Sequence, residues 1–240
     1  MKNFTVSVRK LTDLELLQEA CATTFFGTSH ATLVSLYKSE HSPVRTQLFW
    51  ISLKNIPLYI STHLIRHHIG SVPFQLTCRD DRSGGNPGLP GKVDSIVERL
   101  KGLVETWHKG GAFIGNQRHE IDSIYEELEW LKNNADRETP VNLSLCINAQ
   151  SLIDMAKLRL CTGCASPGTV VVFQAIKDEI SKVDPDLASV MVRKCVYRGG
   201  ICGEPRCCGF NGTQKFREEL SQYLSKFSQK QKGVLHENCN

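Results

Sequence analysis

The triplet Arg66-His67-His68 closes an apolar stretch, Leu58 to Ile69, and the polar run Thr77-Cys78-Arg79-Asp80-Asp81-Arg82 follows shortly after. One short segment thus offers several cationic or protonatable groups beside apolar chain. Guanidinium groups grip phosphate oxygens in a planar, two-pronged way, so the cluster suits a polyanionic small molecule. The alternative for any charge run is a solvated loop with ordinary surface pairs. A second segment, Asn148 to Leu160, favours the ligand reading. Its apolar residues Ala149, Leu152, Ile153, Ala156 and Leu160 fall at helical spacing, so Asn148, Ser151 and Arg159 decorate one amphipathic helix.

A chain of 240 residues, 40% of them apolar, can build a packed core in one large or two small domains. A net charge of +4 is too mild to argue for a nucleic-acid binder, yet it does not repel nucleotides. No run of about 18 apolar residues is present, so no membrane span is expected. Met1-Lys2-Asn3-Phe4 lacks the apolar core of a secretion signal, and ten cysteines without one point to a reducing, cytoplasmic setting. There thiols serve as metal ligands, core residues or reactive groups.

Phe4, Val6 and Val8 alternate and predict an opening strand. Thr12-x-x-Glu15 reads as a capping box that starts a helix through about Thr24. A further helix is expected over Ala31 to Lys38, a strand over Leu48 to Leu53, and a helix from Pro57 to about His68. Arg82 to Gly91, rich in glycine and proline, reads as a loop. Aliphatic stripes at 93–107 and 121–131 are core faces of two helices, with Gly110-Gly111 and Gly115 marking the turn between them. Later helices are expected over 148–160, 169–182, 185–193 and 213–229. The fold class is α+β. A single domain spans 1–210, including a Cys-rich segment at 195–208, and a helix with a frayed tail occupies 211–240.

His63-x-x-x-His67 has the spacing of two metal ligands on one helical face, but Leu64 stands where a zinc hydrolase keeps its Glu base. The pair is expected to face one cleft, with His67 orienting a ligand. Gly85 to Lys92 is no phosphate loop: the spacing is one residue too long, and Val93 replaces the magnesium-holding Ser or Thr. The cysteines are more informative. Cys161-x-x-Cys164 follows the Arg159 helix, and Cys195, Cys202, Cys207 and Cys208 lie together near the C-terminus among glycines that allow tight turns. Four thiolates in tetrahedral array make a structural zinc site, with Cys161 or Cys164, Cys195, Cys202 and Cys208 as ligands. An iron–sulfur cluster and plain buried cysteines are the alternatives.

Together, the segments around Arg66-His67-His68 and Asn148–Leu160 resemble the flavin-dependent thymidylate synthases. That family carries Arg-His-Arg, a Ser seven residues later, and an Asn-x-x-x-Leu helix ending in Leu-Arg-Leu. His41-Ser42-Pro43 is similar to a family turn, and Phe49-Trp50-Ile51-Ser52-Leu53 to a family strand. The resemblance runs from about Phe4 to Met191 and looks nearest to a divergent, phage-like branch. Two positions depart: His68 stands for the second Arg, and Leu76 for the Ser. Leu76 cannot donate a hydrogen bond, so a phosphate pocket must be rebuilt from Thr77 and Arg79, or the substrate differs.

The resemblance implies a central mixed or antiparallel sheet flanked by helices, with a helix-rich C-terminal half. It implies methylation or hydroxymethylation at C5 of a pyrimidine deoxynucleotide, dUMP to dTMP foremost, with FAD as cofactor. NADPH and methylenetetrahydrofolate would be co-substrates. Arg159 would polarise the pyrimidine ring, stabilising negative charge in a dry site. Arg66, His67, His68, Asn148, Gln150 and Asp154 would contact flavin, and His63, Thr77, Arg79 and Arg137 the nucleotide. Family members are homotetramers with sites at subunit junctions, so the 63–82 and 148–160 segments are expected to meet between chains. Two other readings stay open: a paralogue acting on another nucleotide for viral DNA modification, and a non-catalytic, metal-stabilised protein that binds nucleotide or nucleic acid.

Overall fold

The computed structural model describes residues 4–24, 31–76, 90–108, 119–127 and 137–234. Thr77, Arg79, the glycine-rich loop over 82–89, the turn at 110–115 and the tail from 235 lie outside them. Among the described residues, four strands form one antiparallel sheet in the order β1-β2-β4-β3. These are β1 (Thr5–Lys10), β2 (Leu48–Pro57), β3 (Ser71–Gln75) and β4 (Pro140–Asn148). The expected α+β class is what the chain adopts, with the antiparallel rather than the mixed sheet.

Alternation in β2 and β4 makes the sheet one-sided. Phe49, Ile51 and Leu53 pair with Ile147, Leu145 and Leu143, and all six are buried. On the opposite face Trp50 packs against exposed Phe74, with ring centroids 5.5 Å apart. Ile56 keeps to the core face only because a bulge inserts an extra residue between Leu53 and Ile56. Asn55 sits in that bulge at φ 58°, and its N–H donates to Asn142 Oδ1 at 3.2 Å. Without the bulge, period-two alternation would turn Ile56 to the other face.

Helices cover the apolar side: α1 (Leu14–Thr24), α2 (Leu33–Lys38), α3 (Leu58–Ile65), α6 (Ala149–Arg159), α7 (Pro167–Val183), α8 (Pro185–Val190) and α9 (Lys194–Tyr197). Between α2 and β2, Ser42–Thr46 forms a 3-10 turn. The last helix, α10 (Gln214–Val234), buries Phe216 and Tyr223 in the same core. Two more helical stretches, α4 (Pro90–His108) and α5 over 119–127, join through a separate cluster in which Ile96 and Ile124 are buried. Among the described residues no helix is long and apolar enough to cross a membrane.

The capping box is a correction. Asp13, not Thr12, caps α1, accepting from the Leu16 N–H at 3.0 Å. Thr12 instead ties β2 to the 3-10 turn: its hydroxyl donates to the Thr46 carbonyl and accepts from the Leu48 N–H, both at 2.9 Å. A long-range bond there outcompetes a local cap.

Candidate active site

β4 runs straight into α6, and Asn148 serves both. Its N–H donates to the Gly70 carbonyl (3.0 Å), closing the ladder to the start of β3. Its Oδ1 accepts from the Ser151 N–H (2.9 Å) and so caps α6. Ser151, buried, donates its hydroxyl to the Ile69 carbonyl at 2.5 Å. Gly70 has φ 69°, and a Cβ there would strike Asn148 Nδ2. Only a glycine lets the chain after the triplet lie this close to the start of α6.

A cleft of about 450 Å³ opens at this junction. Arg66, His67 and His68 line one side; Asn148, Gln150 and Asp154 line the other. All six residues expected to surround one ligand are therefore brought together, within a single chain. Within one chain, residues 66–70 and 148–159 already meet at this junction. Arg45 also lines the cleft. Sequence reasoning missed it, although it lies two residues beyond the His41-Ser42-Pro43 turn.

Arg159 stands behind His67. Its Nε donates to His67 Nε2 (3.0 Å) and a terminal nitrogen donates to the His63 carbonyl (2.8 Å), so the guanidinium meets two neutral acceptors. Burial first, then the charge of Arg159, pushes the His67 imidazole down to about 4. His67 is thus neutral at physiological pH with its proton on Nδ1, the tautomer that an Nε2 acceptor requires. Burial and the neighbouring Arg66 also lower the Arg159 value, but a guanidinium stays charged. His68 is exposed, its Nδ1 3.2 Å from the Arg66 carbonyl.

His63 does not line the cleft with His67. Its Nδ1 shares a hydrogen bond with Thr169 Oγ1 (3.0 Å), and its ring meets Tyr59 edge-on. Burial, followed by the charges of Arg159, Arg66 and Arg137, lowers its pKa. Arg137 lies over the Tyr59 ring at 5.0 Å, so His63, Tyr59, Arg137 and Thr169 form a second cluster, joined to Arg159 through the His63 carbonyl. A Cβ at Gly168 would strike the Tyr59 hydroxyl, so glycine at the start of α7 admits that ring.

A charged network braces the α6 wall. Glu40, at φ 52°, accepts from Gln150 Nε2 (2.5 Å) and Lys157 Nζ (2.6 Å). Lys157 also reaches Asp154 at 3.0 Å and lies over the Tyr197 ring at 4.2 Å. Burial pushes the Glu40 carboxyl up, but hydrogen bonds from Lys157, Gln150 and Tyr197 outweigh it and hold it below its ordinary range. Gln150 Oε1 is buried without a hydrogen-bond partner.

The cysteines converge elsewhere. Cys161, Cys195, Cys202, Cys207 and Cys208 line one small void beyond the end of α6, while Cys164 bonds with Cys161 and Glu204. Among the described residues no three His, Cys, Asp or Glu side chains stand in an arrangement that could hold a metal ion. As placed, the thiols do not form the tetrahedral set that their spacing suggested.

No protein-family model matches the sequence, and no curated protein matches it significantly. Solved structures do share its fold. One is the UMP/dUMP methylase PolB from Streptomyces cacaoi, bound with 5-Br dUMP; it is 16% identical, with a TM-score of 0.50 over 79% of this chain and 95% of that one. Another is Thymidylate Synthase X (ThyX) from Helicobacter pylori, with FAD and dUMP; it is also 16% identical, with a TM-score of 0.50 over 78% of this chain and 99% of that one. The likeness establishes the architecture that the sequence resemblance implied.

Proposed function

We propose that this chain, folded like ThyX and PolB, is a flavin-dependent transferase that methylates or hydroxymethylates C5 of a pyrimidine deoxynucleotide, with dUMP the leading substrate. The observation that carries this reading is the meeting of Arg159 with the 66–68 triplet beside the cleft, inside one chain. ThyX was crystallised with FAD and dUMP, and the residues here suit a flavin nucleotide. Arg45 and Arg66 offer guanidinium groups to its phosphates. When bound, the flavin supplies the two-electron redox chemistry, with NADPH as reductant and methylenetetrahydrofolate as carbon donor.

C5 of a uracil ring is a weak nucleophile, and the chain's part is to stabilise negative charge on that ring. Arg159 does so from a partly buried position, where one cation acts far more strongly than in water. Neutral His67 holds the guanidinium by its Nε and leaves its charge uncompensated. His63, Tyr59 and Arg137, the cluster that Arg159 reaches through the His63 carbonyl, would seat the nucleotide. A different nucleotide is the second reading. It is favoured by Leu76, whose N–H is spent on the Asn142 carbonyl (2.9 Å) and whose side chain gives a phosphate no donor.

Purified protein should be yellow, with oxidised-flavin absorbance, and should oxidise NADPH faster when a nucleotide is added. Uridylate and cytidylate assayed in parallel separate the two readings. A colourless protein that takes up no added FAD overturns both.

A further inference from the structure

We propose that Cys161, Cys195, Cys202 and Cys208 form a structural zinc site that clamps the 198–209 segment onto the end of the Arg159 helix. This goes beyond the catalytic reading and does not depend on it.

Cys161 lies two residues past α6, Cys195 lies in α9, and Cys202 and Cys208 lie in the segment that follows, yet all face one void. The void measures about 10 Å³, room for a single ion and little else. Gly163 lies against two of these cysteines: a Cβ there would sit in ordinary contact, 3.7 Å from Cys161 Sγ and Cys208 Cβ. Gly199, Gly200 and Gly209, at φ 63°, 109° and 77°, supply the tight turns of the segment that carries Cys202 and Cys208. Cys207 is excluded because it serves the turn. It lines the same void, but its Sγ accepts from the Gly209 N–H and its thiol donates to Asn211 Oδ1, both at 3.4 Å. Lys194, on the rim, is paired with Glu204 at 2.7 Å.

The sulfurs are gathered but not preset. A cysteine has a single side-chain torsion, so an ion can draw four of them into a tetrahedron by rotation, with little backbone movement. Zn²⁺ then replaces four thiol protons, which pass to solvent, and no group is oxidised or reduced. Tetrathiolate coordination with no open position is the closed geometry of a structural, non-catalytic zinc.

The test is metal analysis of the full-length protein purified under reducing conditions, with Co²⁺ titration after chelation. About one zinc per chain is expected, and Co²⁺ should give tetrahedral d–d bands with sulfur-to-metal charge transfer. Cys202→Ser and Cys208→Ser should each lose metal and lower the Tm, whereas Cys207→Ser and Cys21→Ser should retain both. A wild type with neither zinc nor cobalt bands overturns the site. So does iron–sulfur absorbance, or full metal retention in a Cys202→Ser/Cys208→Ser double variant.

Discussion

Arg159 and His67 are tuned to each other: one keeps its charge, and the other is kept from acquiring one. Arg159→Ala removes that charge while leaving the helix intact, so kcat should fall ~100-fold or more with flavin content retained; activity near wild type would refute its assigned role. The depressed imidazole also predicts a pH dependence. His67 titrates near 4 in the native state and at about 6.5 unfolded. Below about 6.5 the unfolded chain takes up a proton that the native chain refuses. This contribution to stability is therefore full above that pH and is lost as pH falls toward 4. Tm measured across the window should fall less steeply in His67→Gln than in wild type. Much at this scale was legible, because charged and amide side chains at the ends of apolar segments have few roles open to them. Arg45, Glu40 and Tyr59 were not legible: each acquires its place through contacts more than a hundred residues away, or through a glycine on another helix.

Helical periodicity foretold most helices to within a few residues, and in the structure Asn148 and Ser166 cap two of their starts. Two of the four strands were missed. β4 alternates from Val141 to Ile147 but runs without a turn into the helix that Asn148 caps, so no punctuation separates the two. β3 was hidden by Pro73, which a strand tolerates only at a sheet edge, and its edge position emerges only from the assembled order. The join between these strands carries a test. Gly70→Ala introduces a left-handed alanine and a clash with Asn148, at a cost of about 1–3 kcal/mol, read as a lower denaturation midpoint. Ligand affinity at the cleft should fall with it.

Across the whole molecule, one buried carboxylate ties the first strand to the C-terminal half. Asp184 accepts from Lys10 Nζ (2.7 Å), the Tyr37 hydroxyl (2.8 Å) and the Leu187 N–H (3.0 Å), joining β1, α2 and the α7–α8 corner. Asp184→Ala strands a lysine and a phenol in the core. A loss of about 3–5 kcal/mol is expected from equilibrium unfolding. No periodicity announces such a cluster, because its members lie 174 residues apart. Asn148 has a different reach, since one side chain both ends the central strand and begins the helix under the cleft. That floor cannot open without breaking the ladder beside it. Amide protons of Asn148 and Ser151 should accordingly exchange with deuterium only on the timescale of global unfolding, with or without ligand, leaving any breathing of the pocket to the Glu40 and Arg45 side.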